Sequence, residues 1–302
     1  MRLAYALTDA AGREDNEDAC DVLSIGPNDV VIVADGAGGH AGGGTASATM
    51  IAAARHYFET VRTDAPLGEV LEGALDAGHR AVRDTGKTSI KLRDMRTTAL
   101  LVVGTTTEAW VGHVGDTRAY LVRDGVASRL TRDDRLVQTL VDLGELDEEA
   151  AKKHSKAHVL TQSIGDPKPL EYHVAGPIEI RAGDRIVACS DGLWEVVSDA
   201  KLGEMAASGQ PADVAKRLVT HAIESHADDN VTVGVIAWMT PGARPVTAKR
   251  HVGGRAQRQA QQRTTNLIVV VVLLLIVAAA AVIRWQRDQR RQALPAQPTE
   301  SR

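Results

Sequence analysis

Seven short β-type runs, several of them joined by only a few residues, constrain the fold of this chain most. They are rich in Val, Ile, Leu and Ala and occupy residues 3–8, 30–34, 98–103, 109–114, 118–122, 185–190 and 231–237. Connections of a few residues can join antiparallel strands, whereas parallel strands need a crossover of a dozen residues or more. The pair Asp124-Gly125 is also a strong hairpin signal. The sequence therefore favours antiparallel sheets over a doubly wound parallel sheet.

Longer amphipathic stretches lie between these runs. Apolar residues recur at i, i+3 and i+4 in residues 45–57, 67–83, 136–143 and 212–225, which predicts helices. Strands at both ends of residues 1–240, with helices between them, favour two packed sheets covered by helices. We therefore expect one α+β domain over residues 1–240.

Acidic residues stand beside the ends of the β-type runs. They occur in residues 16–18, 33–36, 115–116, 189–192 and 228–230. Each segment alone favours a turn, because Asp-Gly is a common turn dipeptide. Carboxylates that converge on one site, however, repel each other unless cations offset them. Oxygen ligands without His or Cys favour Mg²⁺ or Mn²⁺, so the five segments together point to a site for such ions.

The distribution of charge agrees with that interpretation. Residues 1–245 carry 25 basic and 37 acidic residues, whereas residues 246–302 carry ten basic and two acidic ones. A strongly acidic body disfavours nucleic acid as its partner. Two cysteines, Cys20 and Cys189, exclude a disulfide framework and a thiolate zinc site, and they favour a reducing compartment.

Residues 267–283 (LIVVVVLLLIVAAAAVI) are 17 consecutive apolar residues. This length is the lower limit for crossing a hydrocarbon core of about 30 Å, and the flanking Arg263, Arg284 and Trp285 are typical of a membrane interface. We expect one transmembrane helix there, a basic flexible linker over residues 241–266 and a disordered tail over residues 284–302. Residues 1–10 show no signal-peptide pattern. The body is therefore expected on the cytoplasmic side of the cell membrane, although basic residues on both flanks give little help with orientation.

Six segments, taken in their order along the chain, resemble the bacterial branch of the type 2C (PPM) metal-dependent protein phosphatases. They are residues 12–18 (GREDNED), 33–40 (VADGAGGH), 111–118 (VGHVGDTR), 130–133 (LTRD), 190–194 (SDGLW) and 229–232 (DNVT). The resemblance covers residues 1–240. It implies the four-layer αββα sandwich of that family, with two antiparallel sheets flanked by helices. It also implies hydrolysis of phosphoserine and phosphothreonine in proteins by a hydroxide that bridges two Mn²⁺ or Mg²⁺ ions.

The resemblance assigns ligands for the first of these ions. Asp35 would bridge both ions, with the carbonyl of Gly36 as a further ligand. Asp191 and Asp229 would hold the first ion.

Further roles follow from the same resemblance. Asp18, together with Glu17, would serve the second ion, partly through water. Asp116 would pair with Asp191 at a third, weaker metal site of bacterial relatives. Arg13 would grip the substrate phosphate, for which its fork of donors is suited.

One position departs from the family pattern. Ala37 stands where many relatives carry His, the proposed acid for the leaving alkoxide, or Met. His40 is a candidate substitute for proton transfer, although a loop His more often packs or forms hydrogen bonds. Residues 141–157 correspond to a mobile flap of relatives that would gate protein substrates.

The expected partners are phosphoproteins, including Ser/Thr kinases, and the membrane; the sequence leaves the oligomeric state open. Two alternatives to a kinase-opposing phosphatase also stay open. The first is a pseudophosphatase or phosphate-binding scaffold, which is disfavoured because a pure binding module has little use for a cluster of carboxylates. The second is a phosphatase of anti-anti-sigma regulators, which only substrate profiling would separate.

Overall fold

Twelve strands form the framework of this computed structural model, which describes residues 1–37, 42–62 and 64–239. In chain order they are β1 (Arg2–Asp9), β2 (Ala19–Ile25), β3 (Asn28–Ala34), β4 (Gly36–Ala37), β5 (Arg96–Thr97), β6 (Ala99–Gly104), β7 (Glu108–Val114), β8 (Arg118–Arg123), β9 (Val126–Arg129), β10 (His173–Glu179), β11 (Arg185–Cys189) and β12 (Val231–Trp238). The first sheet has the order β1-β12-β11-β8-β9 and the second has the order β10-β7-β6-β3-β2. Strands β4 and β5 pair with each other. Every pairing is antiparallel, as the short connections predict.

Helices connect and cover these strands. They are α1 (Gly43–Thr60), α2 (Leu67–Gly86), α3 (Leu136–Asp142), α4 (Glu148–Lys152), α5 (Asp191–Trp194), α6 (Asp199–Ala206) and α7 (Pro211–Glu224), with a 3₁₀ turn at Ile90–Leu92. The four predicted helices correspond to α1, α2, α3 and α7. The Asp-Gly hairpin prediction is also confirmed, because Asp124 and Gly125 both have positive φ in the tight turn between β8 and β9.

Three apolar layers hold the helices and sheets together. Side chains alternate along each strand, so that Val30 and Ile32 of β3 face α1 and α2 while Val31 and Val33 face the other sheet. Strand β12 does the same, with Val233 in the layer beneath α6 and α7 and Ile236 between the sheets. The expected αββα sandwich of two antiparallel sheets flanked by helices is confirmed.

A glycine sets how closely the two sheets approach. A Cβ atom on Gly234 of β12 would lie 2.3 Å from Cγ1 of Val31 on β3. No side chain fits in that space. The central strands of the two sheets therefore pack against each other at a position where one of them has no side chain.

Among the strands that the seven predicted runs did not include, β10 and β2 are the two edges of the second sheet. Strand β10 contains Pro177, which cannot donate to a ladder and is confined to edges or bulges; it lies at one edge of the second sheet and its pairing is irregular there. Strand β2, at the other edge, contains Asp21, whose buried carboxylate pairs with Arg55 of α1. Both strands are therefore less apolar than the central strands.

The predicted membrane span of residues 267–283, the linker of residues 241–266 and the tail of residues 284–302 lie outside the described residues. Within residues 1–37, 42–62 and 64–239, no helix combines the length and the hydropathy needed to cross a membrane.

Candidate metal centre

The ends of several strands bring the predicted carboxylates to one end of the sandwich. Asp18 immediately precedes β2, Asp35 immediately follows β3, and Asp116 lies two residues after β7. Asp191 lies two residues after β11 and is the first residue of α5, and Asp229 lies two residues before β12. Both sheets therefore contribute acidic residues to the same end.

The electrostatics indicate that these carboxylates share one site. Burial raises the pKa of Asp35 well above its ordinary value, and the charges of Asp18, Asp191, Asp116 and Asp229 raise it further. Burial, with a contribution from Asp191, likewise raises the pKa of Asp18 to about 7 and that of Asp116 to about 8. Each ionised carboxylate thus makes the next one harder to ionise.

The donor atoms fit a divalent cation. Oδ1 of Asp191 is buried and has no hydrogen-bond partner among the described residues, although a buried polar atom normally has one. The pKa of Asp191 is raised by burial and by the charge of Asp229. A cation would supply the missing partner and offset the repulsion. Since the five carboxylates offer only oxygen, the set suits Mn²⁺ or Mg²⁺.

Two hydroxyl groups fix the orientation of Asp18. Ser190 and Thr232 both donate to its Oδ2, at 2.7 and 2.6 Å. Ser190 in turn accepts a hydrogen bond from the backbone N–H of Thr232 at 3.0 Å. One oxygen of Asp18, which precedes β2 of the second sheet, is therefore held by two residues on the side of the first sheet: Ser190 just after β11 and Thr232 of β12.

The sequence analysis missed the function of Asn230, which ties together two of the acidic segments. Asn230 is buried; its Nδ2 donates to the carbonyls of Ala10 and Asp15, at 3.2 and 3.1 Å, and its Oδ1 accepts from the N–H of Glu17 at 2.8 Å. Its position next to Asp229 was the only available signal. Because its partners lie more than 200 residues away, the sequence alone could not assign this role.

Gly36 and Glu17 both lie against Gly43, the first residue of α1. A Cβ atom on Gly36 would lie 2.2 Å from the carbonyl oxygen of Gly43 and 2.7 Å from that of Glu17, so only glycine fits at this position. The carboxyl group of Glu17 lies close against the backbone of Gly43. The predicted ligands Glu17 and Gly36 are thus neighbours at the start of this helix.

Arg13 lies at the rim of the centre. Its Nη2 is 3.1 Å from Oδ2 of Asp229, its Nε donates to the carbonyl of Asp228 at 2.5 Å, and about half of its side chain is exposed. Ala37 is exposed at the end of β4. The predicted proton-transfer candidate His40 lies outside the described residues.

Two residues that the sequence analysis did not select, His158 next to the flap and Glu195 at the end of α5, lie beside Asp191. Side-chain ligand atoms of His158, Asp191 and Glu195 lie within 4.8 Å of one another. Glu195 follows Asp191 by four residues at the end of α5, which is a weak helical-spacing signal; His158 gave none. A cleft of about 690 Å³ lies between this end of α5 and the helices α3 and α4.

Comparison with known proteins gives consistent matches. Residues 10–221 match a family model described as Protein phosphatase 2C. The chain is 36% identical over 242 residues to the serine/threonine protein phosphatase PstP of Mycobacterium tuberculosis, covering 77% of this chain but 44% of that relative, so it spans less than half of PstP.

Solved structures agree in fold. A serine/threonine phosphatase of S. agalactiae superposes with a TM-score of 0.73 at 29% identity, covering 78% of this chain and 99% of the other. The catalytic domain of PstP in complex with two manganese ions superposes with a TM-score of 0.68 at 32% identity, covering 79% and 99%.

Proposed function

The chain belongs to the protein phosphatase 2C family, and we propose that it hydrolyses phosphoserine and phosphothreonine in proteins with the help of Mn²⁺ or Mg²⁺. One observation carries this proposal: five carboxylates from both sheets converge, and burial together with the charges of the other four raises the pKa of Asp35. A module that only binds phosphate gains nothing from such a cluster, because the carboxylates repel the phosphate as well as each other.

The roles proposed for the carboxylates are those that the family resemblance implies, and their positions in the fold support them. Asp35, whose carboxylate is reached by the charges of the other four, would serve both ions. Asp191 and Asp229, from the first sheet, would hold the first ion, and Asp18, from the second sheet, would serve the other. When bound, the two ions acidify a water molecule and neutralise phosphoryl oxygens.

Glu17 and the carbonyl of Gly36 complete the proposed set of ligands. Support comes from their shared position at the beginning of α1, where Gly36 and Gly43 permit close approach of three backbone segments. Glu17 would act on the second ion through water.

Arg13 is proposed to bind the phosphate group of the substrate. Its guanidinium is anchored through Nε and Nη2 to Asp228 and Asp229, yet half of the side chain is exposed. An arginine at this rim offers charge-assisted donors to an incoming phosphate. Since Ala37 has no proton to donate, water would protonate the leaving alkoxide, with His40 a further candidate.

We further propose that the substrates include Ser/Thr kinases and their targets at the cell membrane.

The proposed membrane location follows from the sequence outside the phosphatase domain. Residues 1–240 would form the cytoplasmic phosphatase domain, and residues 241–266 a basic linker to a membrane span over residues 267–283. Support comes from the apolar run and its Arg and Trp flanks.

Hydrolysis of a phosphothreonine peptide by the full chain tests the proposed activity. We expect release of phosphate that depends on Mn²⁺, is abolished by EDTA and falls at least about 100-fold in Asp35→Asn and Asp191→Asn, because both variants lose a ligand. Asp94→Asn, at a carboxylate that is 81% exposed, is the matched control and should retain full activity.

The same assay separates the alternatives. A folded chain that binds Mn²⁺ without releasing phosphate would be a scaffold and would overturn the proposal. A rate that is high only on phosphorylated anti-anti-sigma regulators would redirect it to that substrate class.

A further inference from the structure

One buried cation stands beside the acidic centre. The side chain of Arg135 is 8% exposed, and its Nε lies 3.8 Å from Oδ2 of Asp116. The same Nε donates to the carbonyl oxygen of Ala157 at 2.5 Å. Since arginine keeps its proton at any ordinary pH, Asp116 permanently faces a positive charge.

The position of this arginine is fixed from several sides. The backbone of Arg135 forms an antiparallel bridge with Leu160, so the residue is held at the base of the flap. Its guanidinium lies 5.0 Å from the ring of Trp194, and Nε1 of Trp194 donates to the carbonyl oxygen of Asp116 at 3.0 Å. Arg135, Trp194 and Asp116 therefore form one packed unit rather than a surface ion pair.

The neighbouring arginines pair with other carboxylates. Arg118 and Arg129 both pair with the buried carboxylate of Asp133, at 2.6 and 3.0 Å. Arg13 pairs with Asp229 but is half exposed. Among the described residues, Arg135 is thus the buried cation whose closest carboxylate belongs to the metal centre.

We propose that the guanidinium of Arg135 acts as a built-in cation for Asp116, so that this chain binds two divalent ions rather than three. The inference rests on the metal centre of the proposed function. A third ion held by Asp116 and Asp191 would lie within a few ångströms of a fixed positive charge, in a buried setting where like charges repel strongly. Among the described residues, Asp35, Asp18 and Asp229 form no ion pair with a buried cation. The charge of Arg135 also acts on Asp191, but burial and Asp229 outweigh it there and the pKa of Asp191 stays raised, so the first two ions keep a strongly acidic set of ligands.

Counting bound Mn²⁺ tests this proposal without reference to activity. The full chain in mild detergent is titrated with Mn²⁺, and the electron paramagnetic resonance signal of free Mn²⁺ gives the number of ions bound. We expect two ions in the wild type and in Arg135→Lys, which keeps the charge. Arg135→Met, which has similar length but neither charge nor an oxygen ligand, should bind a third ion at least about tenfold more tightly than the wild type.

Asp116→Asn makes the test independent of whether Arg135→Met folds. In the wild-type background it should leave the count at two, and in the Arg135→Met background it should remove the third ion. A wild type that binds three ions and loses one in Asp116→Asn overturns the proposal, as does a folded Arg135→Met that still binds two. A chain that binds no Mn²⁺ at all would overturn the proposed function together with this inference.

Discussion

Ser190, Thr232 and Asn230 show how single residues that bind no metal shape the acidic centre. The two hydroxyls orient Asp18, and the amide of Asn230 joins the start of β12 to the segment that carries Glu17. A carboxylate that must repel its neighbours needs such fixed partners to keep its position when the ions leave. The supporting residues are therefore as necessary to the geometry as the ligands.

Replacement of Asn230 by Ala should destabilise the fold by about 2–3 kcal/mol. The change removes three part-buried hydrogen bonds, with the carbonyls of Ala10 and Asp15 and with the N–H of Glu17, and each is worth about 1 kcal/mol. Urea unfolding at a fixed Mn²⁺ concentration measures the effect. Asn230→Asp, which can still accept from Glu17, should also be destabilising, because its second oxygen cannot donate and faces the two carbonyl oxygens. A loss below 0.5 kcal/mol would show that this residue does not join the two segments.

The raised pKa values of Asp18 and Asp116 predict how the metal-free protein responds to pH. The folded state holds these protons up to about pH 7 and 8, whereas the unfolded chain releases them near pH 4. The folded state therefore binds more protons between these limits, and its free energy of unfolding must fall as the pH rises.

Thermal or urea unfolding in EDTA checks this sign. From pH 5 to pH 8 the stability should fall by about 6 kcal/mol when the two groups titrate independently. Asp116→Asn removes one of the titrating groups and should flatten the dependence. Mn²⁺ should reverse the trend at pH 8, because an ion that binds only the folded state stabilises it. A metal-free protein that gains stability over this pH range would contradict the electrostatic account.

At the scale of elements, long periodic segments were predictable and short or edge elements were not. Helices α1 and α2 and the central strands carry strong periodicity, since each buries one or two complete apolar faces. The four-residue helix α5 and the five-residue helix α4 are too short to show a period. The edge strand β10 was not predicted because it contains Pro177, which argues against a strand. Tertiary packing, not local sequence, determines these elements.

The same limit applied to the candidate site. Its aspartates could be selected because each one adjoins a recognisable strand, and the family resemblance supplied their proposed roles. Asn230, His158 and Arg135 could not be selected, because their contacts connect positions that are distant in sequence or lie in the flap.

Gly234 offers a prediction about the packing of one sheet on the other. Gly234→Ala would place Cβ 2.3 Å from Cγ1 of Val31, so the sheets must separate or side chains must leave their rotamers, at a cost of about 1–3 kcal/mol. Gly44→Ala is the matched control, because its Cβ would meet nothing closer than 3.5 Å and alanine is the better helix former. Urea unfolding of both variants should show a loss in the first and no loss in the second. Equal stabilities would mean that the sheets tolerate the extra methyl group.

At the scale of the whole molecule, the acidic excess of one part of the chain and the basic excess of the other have different explanations. The acidic excess of residues 1–245 includes the buried carboxylates whose pKa values are raised, so it reflects a site for cations. The basic excess of residues 246–302 surrounds the apolar run of residues 267–283. Basic residues beside such a run also favour anionic lipid, at about 1 kcal/mol for each residue near the surface.

Membrane attachment through residues 267–283 gives the last prediction. The full chain should sediment with membranes and stay there at high salt, because burial of an apolar span is not screened by ions, whereas lipid contacts of a basic linker are. Leu274→Arg combined with Val277→Arg places two charges in the middle of the run, each costing about 3 kcal/mol there, and should release the chain to the soluble fraction. Leu274→Ile combined with Val277→Ile is the matched apolar control and should stay bound. Release of the wild type by salt alone would show that the chain binds membranes electrostatically and not through a span.

Protease added to intact cells tests the orientation and should spare residues 1–240. Digestion of these residues would reverse the proposed orientation.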